Sequence, residues 1–326
     1  MGIDPLQHYS QTASQGAAVV IRSYSTSFGL ACRLLGSVER KDIENIYALV
    51  RIADEVVDGA AAAAGLNPEQ VRLQLDSLER ETEQALLGGY STNMVVHAFA
   101  ASARRTGIDA SLTRPFFASM RTDVSTADHS ADTLAEYIYG SAEVVGLMCL
   151  KVFQAMDDAP CADEDVLSRA ARSLGAAFQK VNFLRDLGDD SADLGRHYFP
   201  GVDPAALTEA HKHALLEEIR ADLAAAKDGM QFLAPAARRA VSLAHELFLA
   251  LVERIEHIPA ANLVDQRVRV PAYQKVYIAA KVMASRYPKT NMDDGGRLTE
   301  SRGTVQKPAR EPALEPAQNT TQGRTS

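Results

Sequence analysis

The segment QKVNFLRDLGDD, residues 179–190, predicts a helix with a polar column along one face. Residues four apart stack on a helix, so Asn182, Asp186 and Asp190 share that face. Gln179 lies on it about one turn earlier. Carboxylates at this spacing repel each other and cost a helix roughly 0.2–0.5 kcal/mol. A divalent cation would offset the cost, because Mg²⁺ takes oxygen ligands from carboxylates, whereas a solvated polar face is the alternative interpretation.

A second pair of aspartates favours the cation. In RIADEVVD, residues 51–58, Asp54 and Asp58 again lie four apart, and Arg51 comes one turn before Asp54. Arg185 flanks the first column in a similar way. One such pair is a common surface feature of helices. Two pairs, each near an arginine and each at the end of a long apolar helix, indicate a functional site.

This arrangement suits the chemistry of a diphosphate ester. Carboxylates do not bind a diphosphate directly, but bridging Mg²⁺ ions neutralise both groups and act as Lewis acids on the leaving oxygens. Arginines provide planar, permanently charged donors to phosphate oxygens. The hydrocarbon part of the ester would lie in an apolar channel between helices.

Composition and charge restrict the class of protein. The 326-residue chain is 46% hydrophobic, which is enough for a core, and its formal net charge of −8 argues against a nucleic-acid partner. No run reaches the ~18 apolar residues of a membrane span, and the N-terminus lacks the regions of a signal peptide. The three cysteines have neither disulfide nor zinc spacing. We therefore expect a cytoplasmic protein.

Apolar periodicity predicts one all-α domain at residues 14–288, between a flexible N-terminus at residues 1–13 and a disordered tail at residues 289–326. Two glycines inside predicted helices, Gly146 and Gly175, indicate either close helix packing or room for a ligand. Helices are predicted at about residues 14–33 with a turn at 23–29, 39–58, 67–87, 91–106, 109–126, 132–156, 163–190, 203–229, 233–257 and 272–286.

Four segments of the chain resemble the squalene/phytoene synthase family, and within it the bacterial phytoene synthases of the actinobacterial type. They are YSTSF at residues 24–28, YALVRIADEVVDG at 47–59, YIYGSAEVVGLM at 137–148, and the opening segment continued through GRHYFP at 195–200. Together they span about residues 14–286 in the order and spacing that the family uses.

The resemblance implies a fold and a reaction. The fold is a single-domain helical bundle of the class I isoprenoid (terpenoid) synthase type with a central prenyl-binding channel. The reaction is a prenyl transfer that needs Mg²⁺, with Mn²⁺ as a substitute, and that condenses two prenyl diphosphates head to head (1′-1). It passes through a cyclopropyl-carbinyl diphosphate; with two geranylgeranyl diphosphates it gives 15-cis-phytoene for carotenoid biosynthesis. No nicotinamide cofactor is expected, because the chain has no Gly-rich dinucleotide fingerprint.

The same resemblance implies roles for individual residues. The implied metal ligands are Asp54, Asp58, Asn182, Asp186 and Asp190. The implied catalytic residues are these four aspartates with Arg51 and Arg185. The implied substrate-binding residues are Tyr24, Ser25, Thr26, Ser27, Phe28, Tyr47, Arg51, Tyr137, Ala142, Gly146, Gln179, Arg185, Arg196, Tyr198, Arg267 and Lys275.

Three positions depart from the family pattern. Thr26 stands where relatives often carry Lys, so one cationic donor is missing or is supplied from elsewhere. Glu143 replaces a frequent Gly and is expected to narrow or polarise the channel wall. Asp189 replaces a Glu, which is a mild change.

Substrate length and competing functions stay open at this point. Cys32 aligns with a position that is bulky in thirty-carbon relatives, which favours geranylgeranyl diphosphate and a forty-carbon product. The alternatives are a squalene or dehydrosqualene synthase that uses farnesyl diphosphate, and a non-catalytic isoprenoid-binding protein. A chain-elongating prenyltransferase or terpene cyclase usually carries a DDxxD motif, which is absent at residues 54–58.

The apolar product also suggests transient contact with the inner face of the membrane and hand-over to other carotenoid enzymes.

Overall fold

A computed structural model of the chain describes residues 4–125, 129–187, 198–199 and 206–285. These residues form thirteen α-helices, one π-helical turn and one 3-10 helix, and they contain no strand, so the predicted all-α fold is confirmed. The predicted tail and the candidate residues Asp190 and Arg196 lie outside them. The helices are α1 Pro5–Tyr24, α2 Thr26–Cys32, α3 Ser37–Val57, α4 Ala60–Ala63, α5 Pro68–Gly88, α6 Met94–Thr106, α7 Ala110–Ser125, α8 Ala131–Ile138, α9 Val144–Gln154, α10 Glu164–Arg185, α11 Glu209–Met230, α12 Pro235–Glu256 and α13 Ala272–Ala284. The π-helical turn Tyr139–Glu143 joins α8 to α9, and the 3-10 helix Ala260–Asp265 precedes α13.

Local sequence signals set several helix ends. At the start of α5, the Asn67 side chain accepts from the Gln70 N–H at 2.9 Å, and the Gln70 side chain accepts from the Asn67 N–H at 2.9 Å. Pro68 fits the first position of this helix because no hydrogen bond is required of its nitrogen there. Gly89 ends the helix in the left-handed region, with φ 77°.

The first helix starts earlier than the sequence pattern predicts, at Pro5 instead of near residue 14. Long-range contacts hold its first turns: the Tyr9 hydroxyl donates to the Ser91 carbonyl at 3.1 Å, and the Ser10 hydroxyl lies 2.8 Å from His97 Nε2. Ala13 is fully buried on the same helix. These contacts lie about 80 residues apart in the chain, so local apolar periodicity does not reveal them.

Two apolar clusters form the core. Side chains such as Ile46 and Phe99 join α3, α5, α6, α7 and α9. Val181, Ile219 and Val252 join α10, α11 and α12. The helices meet around a central cavity lined by members of both clusters.

Glycine allows α10 to approach its neighbours at backbone distance. A Cβ at Gly175 would lie 2.5 Å from the carbonyl oxygen of Ala142, and a Cβ at Gly146 would lie 2.4 Å from the carbonyl oxygen of Ala171. Both separations are too short for non-bonded atoms. Close helix packing, one of the two interpretations of these glycines, is therefore what the structure shows.

None of the helices that the structure describes combines the length and the apolar character needed to cross a membrane.

Candidate active site

A cavity of about 650 Å³ opens between α3 and α10. Its polar lining comes mainly from the last turns of these two helices, whereas their earlier turns contribute apolar side chains such as Ile46 and Leu167. A cavity with one charged part and one apolar part suits a ligand with a charged head and a hydrocarbon tail.

The α3 side of the cavity carries the first aspartate pair. Asp58 follows the last residue of α3, and its N–H donates to the Asp54 carbonyl at 2.7 Å. Burial and the neighbouring Asp58 carboxylate raise the pKa of Asp54 well above its usual range, and Arg51 opposes that rise. Negative charge is therefore crowded here in the absence of a cation.

Asp123, near the end of α7, brings a third carboxylate to this side of the cavity. Its Oδ2 accepts from the Tyr137 hydroxyl at 3.0 Å. The residue was missed in the sequence, because it is a single acid with no carboxylate or arginine at helical spacing in the pattern of the two pairs. Its one signal is its position three residues after the buried Met120, which puts an acid near the apolar face of α7.

The α10 side carries the second aspartate motif. Asp186 directly follows α10, and its N–H donates to the Asn182 carbonyl at 2.9 Å. The Asp186 carboxylate accepts from Arg185 Nε at 2.8 Å and lies 2.9 Å from Arg267 Nε. Asn182 Oδ1 is buried and has no hydrogen-bond partner among the described residues. An unpaired amide oxygen next to a carboxylate is a fitting ligand for a cation.

The helix ends also favour a cation. Asp58 and Asp186 both sit at helix C-termini, where the last backbone carbonyls already carry partial negative charge. Within the described ranges, no three His, Cys, Asp or Glu side chains converge closely enough to form a ready metal site. Mg²⁺ does not require one, because it commonly uses one or two carboxylates and completes its shell with water and phosphate oxygens. The residues present therefore fit Mg²⁺ shared with a diphosphate.

Arg51 contributes positive charge opposite the α10 motif. Its guanidinium lies 4.5 Å from the centre of the Tyr24 ring and pairs with Glu55. Its Nε is buried and lacks a partner within the described part of the chain. Burial raises the pKa of the adjacent Tyr47 to about 12, so Tyr47 remains a neutral hydrogen-bond donor.

The turn between α1 and α2 lies at the edge of the cavity. Ser25 alone breaks the helix, and its hydroxyl accepts from the Phe28 N–H at 3.1 Å. Thr26 does not line the cavity, but its hydroxyl accepts from Lys275 Nζ at 2.6 Å. Lys275 of α13 thus places an ammonium beside Thr26, one of the positions expected to depart from the family pattern.

An aromatic stack forms another part of the wall. The ring centres of Phe183 and Tyr198 are 3.9 Å apart, and those of Tyr137 and Tyr198 are 5.8 Å apart. Tyr137 and Tyr198 are only 4% and 5% exposed, and both line the cavity. They are core residues and wall residues at once.

Glu143 does not narrow or polarise this wall, so that expectation was wrong. It lies outside the cavity lining, and its Oε2 accepts from Arg172 Nε at 2.6 Å along a separate groove. The physical reason is the π-helical turn Tyr139–Glu143, which inserts one extra residue and rotates the following side chains around the helix axis.

The structure brings most of the predicted site residues together. Thr26, Ser27 and Lys275 are outside the cavity lining. The lining includes Tyr24, Ser25, Phe28, Tyr47, Arg51, Asp54, Asp58, Tyr137, Ala142, Gly146, Gln179, Asn182, Arg185, Asp186, Tyr198 and Arg267.

The apolar part of the cavity contains two thiols. Cys32 and Cys149 both line it, with Leu35 and Phe153 among their apolar companions. Burial raises the pKa of each thiol to about 12. Both groups are therefore neutral and behave as small apolar side chains.

Comparison with known proteins decides the family. The family model described as squalene/phytoene synthase matches residues 21–274. The chain belongs to the squalene/phytoene synthase family. A 15-cis-phytoene synthase of Paracoccus sp. is 36% identical over 181 residues, which cover 54% of this chain and 56% of that relative. A phytoene synthase of Mycobacterium tuberculosis is 27% identical over 284 residues, which cover 82% of this chain and 89% of that relative.

A solved structure shares the fold. The crystal structure of a dehydrosqualene synthase superposes with a TM-score of 0.69 at 23% identity, over 86% of this chain and 98% of that one. The match to the Paracoccus relative spans little more than half of that protein's length. The squalene/phytoene synthase fold predicted from the sequence is thus confirmed.

Proposed function

We propose that this protein is a 15-cis-phytoene synthase, which joins two geranylgeranyl diphosphates head to head and releases diphosphate. One observation carries the proposal: α3 and α10 both line one cavity, with aspartates at their C-terminal ends and apolar side chains from their earlier turns. Family membership and relatives named phytoene synthase support it.

Four residues would hold Mg²⁺: Asp54 and Asp58 on the α3 side, and Asn182 and Asp186 on the α10 side. When bound, the metal would neutralise the diphosphate and act as a Lewis acid on the leaving oxygen. Asp190 lies outside the described residues and stays a predicted fifth ligand.

Arginines and one lysine would bind the diphosphate oxygens. Arg51 Nε is buried without a partner among the described residues, so it has a donor to offer an anion. Arg185 and Arg267 contact Asp186, and we expect them to share their donors between that carboxylate and a diphosphate. Lys275 adds a charge at the turn where Thr26 has none.

The remaining walls would protect the carbocation that forms when diphosphate departs. Phe183, Tyr198 and Tyr137 form a stacked surface with little exposure to water. Aromatic faces carry partial negative charge and attract cations. Asp123 accepts a hydrogen bond from the Tyr137 hydroxyl, which orients that ring against the cavity.

Cys32 is the proposed determinant of chain length, because a small side chain at the apolar end leaves room for a longer tail. Purified protein with Mg²⁺ should prefer geranylgeranyl over farnesyl diphosphate, with products identified by mass. Cys32→Phe should shift the preference toward the thirty-carbon product. Cys161→Phe is the matched control, because Cys161 is exposed and outside the cavity. Preferred formation of a thirty-carbon product by the unmodified protein would refute the chain-length proposal.

The aspartates test the chemistry independently of chain length. Asp54→Asn and Asp186→Asn should each lower kcat/KM by a factor of about 100 or more, since each removes a charge proposed to hold metal at the reacting diphosphate. Asp158→Asn is the control, because Asp158 is exposed and does not line the cavity. Unchanged activity in both cavity variants would refute the metal role. Prenyl diphosphate binding without turnover by the unmodified protein would favour a non-catalytic isoprenoid-binding protein.

A further inference from the structure

The outward face of α13 is apolar along its whole length. Tyr273, Val276, Tyr277 and Met283 are exposed by 75%, 67%, 69% and 56%. Val276 and Tyr277 follow Tyr273 by three and four residues, and Met283 follows Val276 by seven. These spacings place all four side chains on one face of the helix. They form the largest group of exposed large hydrophobic side chains on any one helix of the described chain.

The inward face of the same helix is apolar too. Ile278 and Val282 are 7% and 3% exposed and pack with Leu243 and Leu247 of α12. A helix that is hydrophobic on both faces is normally covered on both. The exposed face of α13 therefore indicates an interaction surface.

The charged residues of the segment that carries this face are all basic. Residues 266–285 contain Arg267, Arg269, Lys275 and Lys281 and no acidic residue, although the whole chain carries a net charge of −8. Two of these basic residues contact acids of other segments: Arg267 Nε lies 2.9 Å from Asp186, and Lys281 Nζ lies 4.0 Å from Glu246 of α12. Arg269 is exposed. A local basic segment in an acidic protein complements an anionic partner.

The same helix, through its opposite side, lies next to the turn that borders the cavity. Lys275, in the second turn of α13, contacts Thr26 at the turn that borders the cavity, and Arg267 lines the cavity itself. A partner bound along α13 would therefore be separated from the border of the cavity by the width of one helix.

We propose that α13 docks the protein on the surface of an anionic lipid bilayer. Tyrosine suits the membrane interface because its ring is apolar and its hydroxyl remains hydrated. The helix is about 20 Å long and would lie along the surface, with its apolar face in the headgroup region and its basic residues near anionic lipids. The surface is an addition to the proposed function and does not depend on which prenyl diphosphate the protein uses.

Vesicle flotation of the full chain without substrate tests the surface directly. The protein should float with vesicles of phosphatidylcholine and phosphatidylglycerol at low salt, and float much less with pure phosphatidylcholine or at high salt. Tyr273→Ser with Tyr277→Ser should reduce the bound fraction about fivefold or more. The matched control is Leu87→Ser with Tyr90→Ser, because these residues are also exposed, by 84% and 53%, but belong to α5 and the loop after it. The control should float like the unmodified protein.

A charge variant separates lipid docking from nonspecific apolar sticking. Arg269→Glu with Lys281→Glu should weaken binding to the anionic vesicles about tenfold or more. Melting curves check that all variants fold. Absence of flotation in the unmodified protein would overturn the proposal, as would equal flotation of the tyrosine variant and the control. A dimer in solution that becomes monomeric in the tyrosine variant would also overturn it and assign the face to a second copy. Because flotation is read without substrate, its failure is distinct from a failure of the proposed activity.

Discussion

At the scale of single residues, Asp54 shows how function and stability oppose each other. Its carboxyl group lies beside two others, Asp58 and Asp123, and burial adds to the cost of its charge. A cation would relieve that repulsion, but the metal-free protein keeps it. Strained electrostatics of this kind are typical of sites prepared for an oppositely charged ligand.

Asp54→Asn should therefore stabilise the metal-free protein while it lowers activity. Native Asp54 has a raised pKa, so above about pH 4 the native state binds more protons there than the unfolded state, and the free energy of unfolding falls as the pH rises. The asparagine variant does not titrate at this position, so its free energy of unfolding does not fall with pH for this reason. Its melting temperature should exceed that of the unmodified protein by roughly 2–4 °C per kcal/mol gained, and more at pH 8 than at pH 5. Asp158→Asn is the control, and an equal or lower melting temperature for Asp54→Asn would contradict the argument.

The thiols give a second prediction at this scale. A thiol with a pKa of about 12 is ionised at pH 8 to about one part in ten thousand, and only the thiolate reacts readily with alkylating agents. Iodoacetamide should therefore label exposed Cys161 long before Cys32 and Cys149 in the native protein. Mass spectrometry of tryptic peptides measures the order. Labelling of Cys32 as fast as Cys161 would show that the apolar part of the cavity is open to water.

Residues at regular spacing were predictable, and isolated ones were not. Asp54, Asp58, Asn182 and Asp186 follow from helix geometry, because positions four apart must share a face. Asp123 depends on the tertiary packing that places α7 beside the cavity, which no local pattern encodes. The position of Lys275 beside Thr26 depends in the same way on a contact between residues 249 positions apart.

At the scale of helices, α10 approaches its neighbours at backbone distance beside the cavity, which Gly175 and Gly146 both line. Gly175 and Gly146 allow carbonyl groups of the facing segment to approach within a distance that a side chain would forbid. This packing joins α10 to α9 and the π-helical turn, and α9 in turn contacts α3.

Gly175→Ala should widen or strain that contact and destabilise the protein by about 1–3 kcal/mol, because the new Cβ would lie 2.5 Å from the Ala142 carbonyl oxygen. Gly16→Ala is the matched control: Gly16 lies within α1, and a Cβ there meets nothing within 4 Å. The control should gain about 0.5–1 kcal/mol from helix propensity. Urea denaturation measures both values. A loss of stability in Gly16→Ala as large as in Gly175→Ala would contradict the packing argument.

Helix type was predictable along most of the chain, and helix boundaries were less so. The prediction of one continuous helix over residues 132–156 agrees with the unbroken helical path, but the π-helical turn within it was not foreseen. A π-turn has no distinct period in sequence, and it changes which residues face the cavity. The expectation that Glu143 narrows or polarises the channel wall was wrong for this reason.

At the scale of the whole molecule, the proposed metal ligands lie on the α3 and α10 sides of one cavity, and neither side forms a metal site alone within the described residues. Metal and diphosphate should therefore bind together. Mg²⁺ with inorganic diphosphate should raise the melting temperature by more than the sum of the two separate effects, since ligand at about 100 times its Kd adds about 2.7 kcal/mol. Thermal unfolding with each component alone and with both measures this. Asp186→Asn should lose the synergy, and a full shift with Mg²⁺ alone would contradict shared binding.

The contact between Lys275 and Thr26 has a consequence for how the protein comes into being. Among the described helices it joins the second to the thirteenth, so most of them are synthesised between the two partners. Contacts of such large sequence separation carry a high entropic cost of loop closure and tend to form late in folding. A nascent chain on the ribosome will thus have built both aspartate helices and most of the core before the entrance of the cavity gains its lysine. The diphosphate contact proposed for Lys275 should then form late in folding, after the helix that bears the apolar outward face has left the ribosome.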